Sequence, residues 1–185
     1  MKNAAAKLLL TILILLALTA SGTARETCDL SSKTAPLLLN LQTGKSPEQV
    51  RSVFGKALKI KIKKNGERTF FQNYIKKPAP DVLRGVRALY LRFFDRRLYQ
   101  IEIFYEPRND LKTLEEVVNA LSAQLDLPAA EWQIKNNRAE IKCGANSLVT
   151  DDVLNPRIEL TDETIRAAVE EARRKAKTDK MRIKG

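Results

Sequence analysis

The sequence predicts an α+β fold made of tandem units, each a helix followed by an antiparallel sheet in a two-layer sandwich, with a further C-terminal helix. Three observations lead to this prediction. Two helix starts carry capping boxes, strand-like alternation follows each of them, and the elements recur in the same order. The chain divides into a signal peptide, a lead-in, a first unit, a second unit and an amphipathic helix with a basic tail: residues 1–24, 25–45, 46–108, 109–160 and 161–185.

The first 24 residues have the composition of a secretory signal peptide. Lys2 and Lys7 are followed by an apolar run over residues 8–20 and then by small residues up to Ala24. The run is too short to span a bilayer comfortably, so cleavage near Ala24 is predicted, with an uncleaved anchor as the alternative. The mature protein is then expected to be periplasmic or secreted and not an integral membrane protein.

Cysteine and histidine usage restricts the chemistry of the chain. Cys28 and Cys143 are the only two cysteines, and in an exported protein such a pair usually forms a disulfide bond. Two buried free thiols are the alternative. The sequence contains no histidine, which excludes the common catalytic triads and most zinc sites. We therefore predict no enzyme activity, no metal and no cofactor.

The positive charge is concentrated in one segment. The net charge is +11, and residues 56–97 contain 13 Lys or Arg against three acidic residues. Such a concentration indicates a polyanion or an acidic protein surface as partner. The alternative is a solvated surface whose charge only keeps the protein soluble.

The stretch Gly44-Lys45-Ser46 ends like a phosphate-binding loop, but the rest of that motif is missing. Leu39 stands where the first glycine belongs, and Pro47 removes a backbone donor. Ser46 and Gln49 instead form a capping box with proline at the first helical position, which predicts a helix from Pro47 to about Phe54. No nucleotide is expected.

The next segment predicts a basic hairpin. Leu and Ile alternate with Lys over residues 58–63, and Asn65-Gly66 predicts a two-residue turn that sets Ile62 opposite Thr69. One face is then apolar, and the other could bind phosphate groups, acidic glycans or an acidic protein. The alternative is an edge strand protected by lysines. The predicted binding residues of this face are Lys59, Lys61, Lys63, Lys64, Arg68 and Phe70.

A second hairpin is predicted over residues 88–105. We prefer a three-residue loop over residues 95–97, because it aligns Leu91 with Ile101 and Phe93 with Tyr99 on one buried face. The outward positions would form a second candidate patch, with side chains of the kind that anchor interfaces. Ordinary sheet packing is the alternative. The residues of this patch are Tyr90, Arg92, Phe94 and Arg97.

The second half of the sequence repeats these signals. Thr113 and Glu116 form a capping box, and residues 132–143 form a hairpin pattern with Asn136-Asn137 at the turn. Residues 147–160 predict a further strand pair. The recurrence favours duplication, with chance similarity between short amphipathic elements as the alternative. A final helix with a narrow apolar stripe is predicted over residues 162–177, capped by Thr161.

The stretches "LQTGKSPEQVRSVFG" and "FFDRRLYQIEIFY" carry a resemblance to a known fold. The pattern resembles the periplasmic α/β sandwich of the small outer-membrane lipoproteins that help assemble barrel proteins. It is also similar to the secreted β-lactamase inhibitor protein, a tandem duplication of such a unit. The chain departs from the lipoproteins because it lacks a lipobox. The resemblance implies binding rather than catalysis.

These observations together predict an exported, non-catalytic binding protein of the bacterial envelope or extracellular space. Its basic sheet face would bind an acidic envelope protein, an anionic glycolipid or peptidoglycan, and nucleic acid is not expected in an exported protein. One alternative is a structural or solubilising module without a specific anionic partner. Another is a carboxylate-dependent hydrolase, for which the densest acidic pairs are Asp151-Asp152 and Asp162-Glu163.

Overall fold

The computed structural model describes residues 28–54, 60–63, 66–73, 81–107, 112–151 and 156–182. Within them, three α-helices accompany one eight-stranded sheet. The helices are α1 (Pro47–Phe54), α2 (Leu114–Leu125) and α3 (Glu163–Arg182). The strands are β1 (Lys61–Ile62), β2 (Arg68–Asn73), β3 (Val86–Phe94), β4 (Arg97–Tyr105), β5 (Gln133–Lys135), β6 (Arg138–Cys143), β7 (Asn146–Asp151) and β8 (Arg157–Asp162).

All neighbouring strands in the sheet are antiparallel, in the order β1-β2-β3-β4-β8-β7-β6-β5. Strands β1 to β4 form one meander, strands β5 to β8 form a second, and the two meet where β4 pairs with β8. Helix α1 precedes the first meander and α2 precedes the second. The predicted α+β class with a C-terminal helix is confirmed.

Both predicted capping boxes are present. The Gln49 N–H donates to Ser46 Oγ at 3.2 Å, and the Ser46 N–H donates to Gln49 Oε1 at 2.8 Å. The Glu116 N–H donates to Thr113 Oγ1 at 3.2 Å, and the Thr113 N–H donates to Glu116 Oε2 at 3.0 Å. Each box satisfies two backbone donors that the first turn leaves unpaired, which fixes where α1 and α2 begin.

The Gly44-Lys45 backbone is used to attach α1 to the sheet. The Gly44 N–H donates to the Leu98 carbonyl at 2.7 Å, and the Leu98 N–H donates to the Lys45 carbonyl at 2.8 Å. Gly44 has φ +83°, a conformation that glycine adopts at little cost. A phosphate cradle would need free N–H groups here, and the Gly44 N–H is already paired with strand β4.

The main core lies between one face of the sheet, helices α1 and α2, and the segment that precedes α1. Leu38, Val50 and Leu121 belong to the same buried cluster as the sheet residues Leu91 and Ile101. We call this side of the sheet the core face. Burial of such side chains is the dominant stabilising contribution to a fold of this kind.

Two further features belong to the core, and the first of them confirms a prediction from the sequence. A disulfide bond joins Cys28 to Cys143 and so ties the N-terminal segment to strand β6. Trp132 is buried, and its indole N–H donates to Ser122 Oγ of helix α2 at 2.9 Å. The indole therefore has the hydrogen-bond partner that a buried tryptophan needs.

The predicted register of the first hairpin is wrong by one residue. Lys61, and not Ile62, lies opposite Thr69, and the Lys63 N–H donates to the Glu67 carbonyl at 2.7 Å. A shift of one residue exchanges the faces of a strand. Consequently Phe70 is only 2% exposed on the core face, whereas Phe71 is 49% exposed.

Strand β3 explains this register. Strand β2 makes six residue pairs with β3, and one of them joins Phe70 to Leu91, which is fully buried in the core. These pairs determine which side chains of β2 face the core. Strand β1 has two ladder pairs and follows β2. Its Ile62 lies at the sheet edge and stays 70% exposed.

The predicted three-residue loop of the second hairpin is also wrong. Asp95 and Arg96 have φ of 46° and 59° and form a two-residue turn, which places Phe93 opposite Leu98. An irregularity in the register next to Phe93 then restores the predicted pairing of Leu91 with Ile101. A β-bulge supplies the extra residue that the prediction had assigned to the loop.

The second half agrees with its prediction more closely. Asn136 and Asn137 have φ of 50° and 58°, as a two-residue turn of this type requires, and β7 pairs with β8. Helix α3 differs in its cap, because Asp162 Oδ1, and not Thr161, accepts from the Ile165 N–H at 3.0 Å. None of the described helices is long and apolar enough to cross a membrane.

Candidate binding surface on the outer face of the sheet

The side of the sheet opposite the core face, here called the outer face, carries most of the polar candidates. Residues that pair directly across neighbouring strands share a face and form rows. One row runs from β1 to β4 through Lys61, Thr69, Arg92 and Gln100. The next row runs from β2 to β8 through Phe71, Tyr90, Glu102 and Glu159.

The first predicted binding face is divided between the two sides of the sheet. Lys61 and Lys63 lie on the outer face and are exposed. Phe70 lies in the core and Arg68 is half-buried on the same side as Phe70, so the prediction that these two residues join the lysines is wrong. The physical reason is the register of β2 against β3. Lys59 and Lys64 lie outside the described residues.

The second predicted patch lies on the outer face. Tyr90, Arg92 and Phe94 are half-buried there, and Arg97 is exposed at the β3–β4 turn opposite Phe94. Sequence reasoning missed the aromatic neighbours of Tyr90. The Phe71 ring stacks on it at a centroid distance of 4.1 Å, and the Phe104 ring meets it edge-on at 6.1 Å.

A cluster of carboxylates surrounds Arg157 on the same face. The guanidinium pairs with Glu102 at 3.0 Å, with Glu159 at 3.3 Å and with Asp151. The hydrogen bonds to Asp151 raise the pKa of Arg157, although burial opposes this. The carboxylates are therefore already engaged by a cation. Asp152, the other member of the predicted acidic pair, lies outside the described residues.

A second buried carboxylate lies at the β1–β2 end of the outer face. The Glu67 side chain is fully buried, and it accepts hydrogen bonds from Tyr99 Oη and Arg173 Nη2, both at 2.8 Å, and from Lys63 Nζ at 3.3 Å. Burial favours the protonated form, but these donors outweigh it and lower the pKa of Glu67 to about 2. Burial, together with the same contact, raises the pKa of Tyr99.

Helix α3 crosses the outer face to reach this carboxylate. It begins at the end of β8, where Ser147 Oγ donates to Glu163 at 2.6 Å. Val169, 1% exposed, is buried outside the main core cluster, and Arg173 then contacts Glu67 of the first hairpin. Of the predicted narrow apolar stripe of this helix, Val169 is therefore the one member that is fully buried among the described residues. Ile165 and Ala172 are half-buried, and Ala168 is exposed.

The C-terminal half of α3 is a basic segment that sequence reasoning did not treat as part of a site. Residues 173–180 contain five Lys or Arg and one acidic residue. When charges are summed over the whole second half of the chain, acidic residues elsewhere cancel the positive charge of this segment. A count over a short window would have revealed the basic segment. The basic residues are Arg173, Arg174, Lys175, Lys177 and Lys180.

No protein-family model matches the chain, and no curated protein and no solved structure is significantly similar to it. Among the described residues, no group of three or more His, Cys, Asp or Glu side chains is arranged to hold a metal ion. The function is therefore inferred from the charge, burial and geometry of the surface.

Proposed function

We propose that this chain is an exported, non-catalytic binding protein of the bacterial envelope or extracellular space that binds an acidic partner through the basic end of its outer face. The observation that carries the proposal is the exposure of Lys61 and Lys63 at the edge of the sheet, beside the basic end of α3. Glu67 compensates one positive charge of the Lys63 and Arg173 pair, so the surface keeps a net positive charge. Fields of this kind attract anionic partners over several ångströms.

Two features support the proposed compartment. The apolar N-terminal segment has the composition of a signal peptide. The chain contains the Cys28–Cys143 disulfide bond. Disulfide bonds persist in oxidising compartments and are rare in cytosolic proteins. Both support export to the periplasm or beyond it.

A tandem origin of the two halves is part of the proposal. Each half has a capped helix followed by a four-stranded meander, and the last strands of the two meanders pair with each other. A tandem of helix-plus-sheet units is what the resemblance to barrel-assembly lipoproteins and the β-lactamase inhibitor protein implies. The same resemblance favours binding over catalysis.

The absence of catalysis is proposed from the pairing of the carboxylates. Glu67 is held by Arg173 and Tyr99, and the cluster of Glu102, Asp151 and Glu159 is held by Arg157. General acid–base work needs a carboxyl group that can exchange a proton near neutral pH. Glu67 does not meet this requirement, because its donors outweigh burial and lower its pKa to about 2. The other three carboxylates are occupied by the guanidinium of Arg157.

A charge-reversal experiment tests the proposed surface. We would compare the variant Lys61→Glu/Lys63→Ala with the control Lys112→Glu/Lys135→Ala, whose lysines are also exposed but lie away from the β1 edge. Binding to purified peptidoglycan and to vesicles with an anionic glycolipid would be measured at low and high salt. The first variant should lose roughly tenfold or more in affinity and should respond less to salt. Equal losses in both variants would contradict the proposal.

A second function is favoured by the position of Lys61 on an edge strand. Lysines at a sheet edge prevent pairing with the edge of another molecule. On this reading the chain is a structural or solubilising module, and the neutral variant Lys61→Ala/Lys63→Ala should bind anionic partners as the wild type does but self-associate at high concentration. Light scattering on both variants decides between the two readings.

A further inference from the structure

We infer that the binding surface is composite and that its ligand is a linear polyanion. One half of the surface is on the sheet edge, and the other is on the end of α3 that follows Arg173, residues 174–182, here called the overhang. The inference rests on the proposed function and names the partner class for the same site. It starts from the contact between Arg173 of α3 and Glu67 of the first hairpin, at 2.8 Å.

The length of α3 places its C-terminal end beyond the sheet. From Glu163 at the end of β8 to Arg173 the helix rises about 15 Å, since each residue adds about 1.5 Å. Strands β8, β4, β3 and β2 are neighbours, and three strand spacings of about 4.8 Å cover about the same distance. The residues that follow Arg173 add roughly 13 Å, which exceeds the single spacing to the edge strand β1.

Helical spacing directs two lysines of this overhang toward the sheet edge. Val169 and Arg173 face the sheet, as their burial and their contact with Glu67 show. Lys177 follows Arg173 by four residues and Lys180 follows by seven, so both lie on the same side of the helix. Because the sheet has ended there, these lysines are exposed above the β1 edge.

Two sets of cations therefore border a notch between the overhang and the edge strand. Lys61 and Lys63 belong to the sheet side, and Lys177 and Lys180 to the helix side. A carboxylate lies nearby, but Glu67 is fully buried between Arg173 and Tyr99 and does not face the notch as a free charge. The exposed cations thus define an elongated positive surface on two elements.

The shape favours a chain-like anion over a membrane. A membrane surface is flat, and stable binding of a basic helix to it requires apolar side chains that enter the lipid. Between Arg173 and Lys180 the described side chains are basic or polar apart from Ala176. A linear polyanion, with an anionic group on every repeat, can instead follow the β1 edge and pass beneath the overhang.

Polyphosphate of two lengths tests the inference. We would measure binding of tripolyphosphate and of long-chain polyphosphate, at equal phosphate concentration and several salt concentrations, to the full mature chain. The wild type should prefer the long chain by roughly tenfold or more, because only the long chain reaches both sets of cations. Lys177→Glu/Lys180→Glu should abolish most of this preference and lower the salt dependence. The control Lys112→Glu/Lys135→Glu should retain both.

A variant of the contact between Glu67 and Arg173 distinguishes a positioned binding site from a diffuse positive field. Glu67→Gln makes the protein more positive by one charge, so a diffuse field predicts tighter binding to every polyanion. The composite site predicts weaker binding of the long chain and unchanged binding of tripolyphosphate, because Arg173 no longer holds the overhang in place. Circular dichroism confirms that the variant is folded. If it is not, Arg173→Lys is the second variant, because it keeps the charge and a diffuse field then predicts unchanged binding, whereas the composite site predicts weaker binding of the long chain.

The outcomes distinguish this inference from the proposed function. If Lys61→Glu/Lys63→Ala binds polyphosphate as its control does, the proposed surface itself is wrong. If that variant weakens binding but Lys177→Glu/Lys180→Glu does not, the surface is basic but not composite. An effect of the helix variant on phosphatidylglycerol vesicles and not on polyphosphate would overturn the linear polyanion as ligand.

Discussion

Arg173 Nη2 lies 2.8 Å from both carboxylate oxygens of Glu67, across 106 residues of sequence. The carboxylate is fully buried, and the Tyr99 hydroxyl donates to its Oε1 atom at 2.8 Å. Removing one partner of such a pair leaves an uncompensated charge in a poorly solvated place. This contact therefore attaches the C-terminal half of α3 to the sheet, and the buried Val169 packs in the preceding half of the helix.

The Glu67 contact should make the stability of the protein depend on acidic pH. The pKa of Glu67 is lowered to about 2 from an ordinary value of 4.5, so the folded state favours the ionised form. The resulting stabilisation is fully present above the unfolded pKa and is lost as the pH falls through the folded pKa. A shift of this size corresponds to roughly 3 kcal/mol.

Urea unfolding of the wild type and of Glu67→Gln at several pH values measures this contribution. The variant should be less stable near neutral pH by up to that amount, and the difference should shrink between pH 4.5 and 2. Glu171→Gln is the control, because Glu171 pairs with Lys175 at 2.7 Å on an exposed part of the same helix and should matter little. A difference for Glu67→Gln that does not change with pH would contradict the assignment.

Phe70 and Phe71 test the register of the first hairpin. Phe70 is 2% exposed and Phe71 is 49% exposed. Phe70→Ala should therefore cost about 3–5 kcal/mol of unfolding free energy by opening a cavity. Phe71→Ala should cost clearly less, about 0.5–1.5 kcal/mol for the lost stacking on Tyr90. Chemical denaturation of the two matched variants measures both values, and the opposite order would restore the register predicted from the sequence.

Features encoded within a few residues could be predicted from the sequence. The capping boxes at Ser46 and Thr113 and the turn at Asn136 involve groups three or fewer residues apart, and local chemistry fixes them. The Cys28–Cys143 bond is distant, but with two cysteines there is one possible intramolecular pairing.

Features that depend on distant strands could not be predicted in this way. The face of Phe70 is decided by its pairing with Leu91, and the shift near Phe93 comes from a bulge that hydrophobic alternation does not show. The candidate site depends on Glu67 and Arg173, which neither share a motif nor lie in one segment. Only the packing of α3 on the outer face brings these charges together.

The disulfide bond should contribute strongly to stability. It closes a loop of 115 residues between Cys28 and Cys143. On the chain-entropy model such a crosslink stabilises the folded state by about 4–5 kcal/mol, because it restricts the unfolded chain. The variant Cys28→Ala/Cys143→Ala should unfold at a correspondingly lower urea concentration, and a reductant should destabilise the wild type but not the variant. Equal stability of the oxidised and reduced wild type would contradict this account.

Arg157 should be essential to the stability of the outer face. It is the shared partner of Glu102, Asp151 and Glu159, and it is half-buried. Arg157→Met should cost roughly 3–5 kcal/mol, because three neighbouring carboxylates lose their common cation and repel each other. Arg138→Met is the matched control, since Arg138 is exposed and pairs with Glu140 at 3.6 Å. Urea unfolding of both variants near neutral pH measures the difference. Similar small losses in both variants would mean that Arg157 does not organise the carboxylates, and that they are open to solvent.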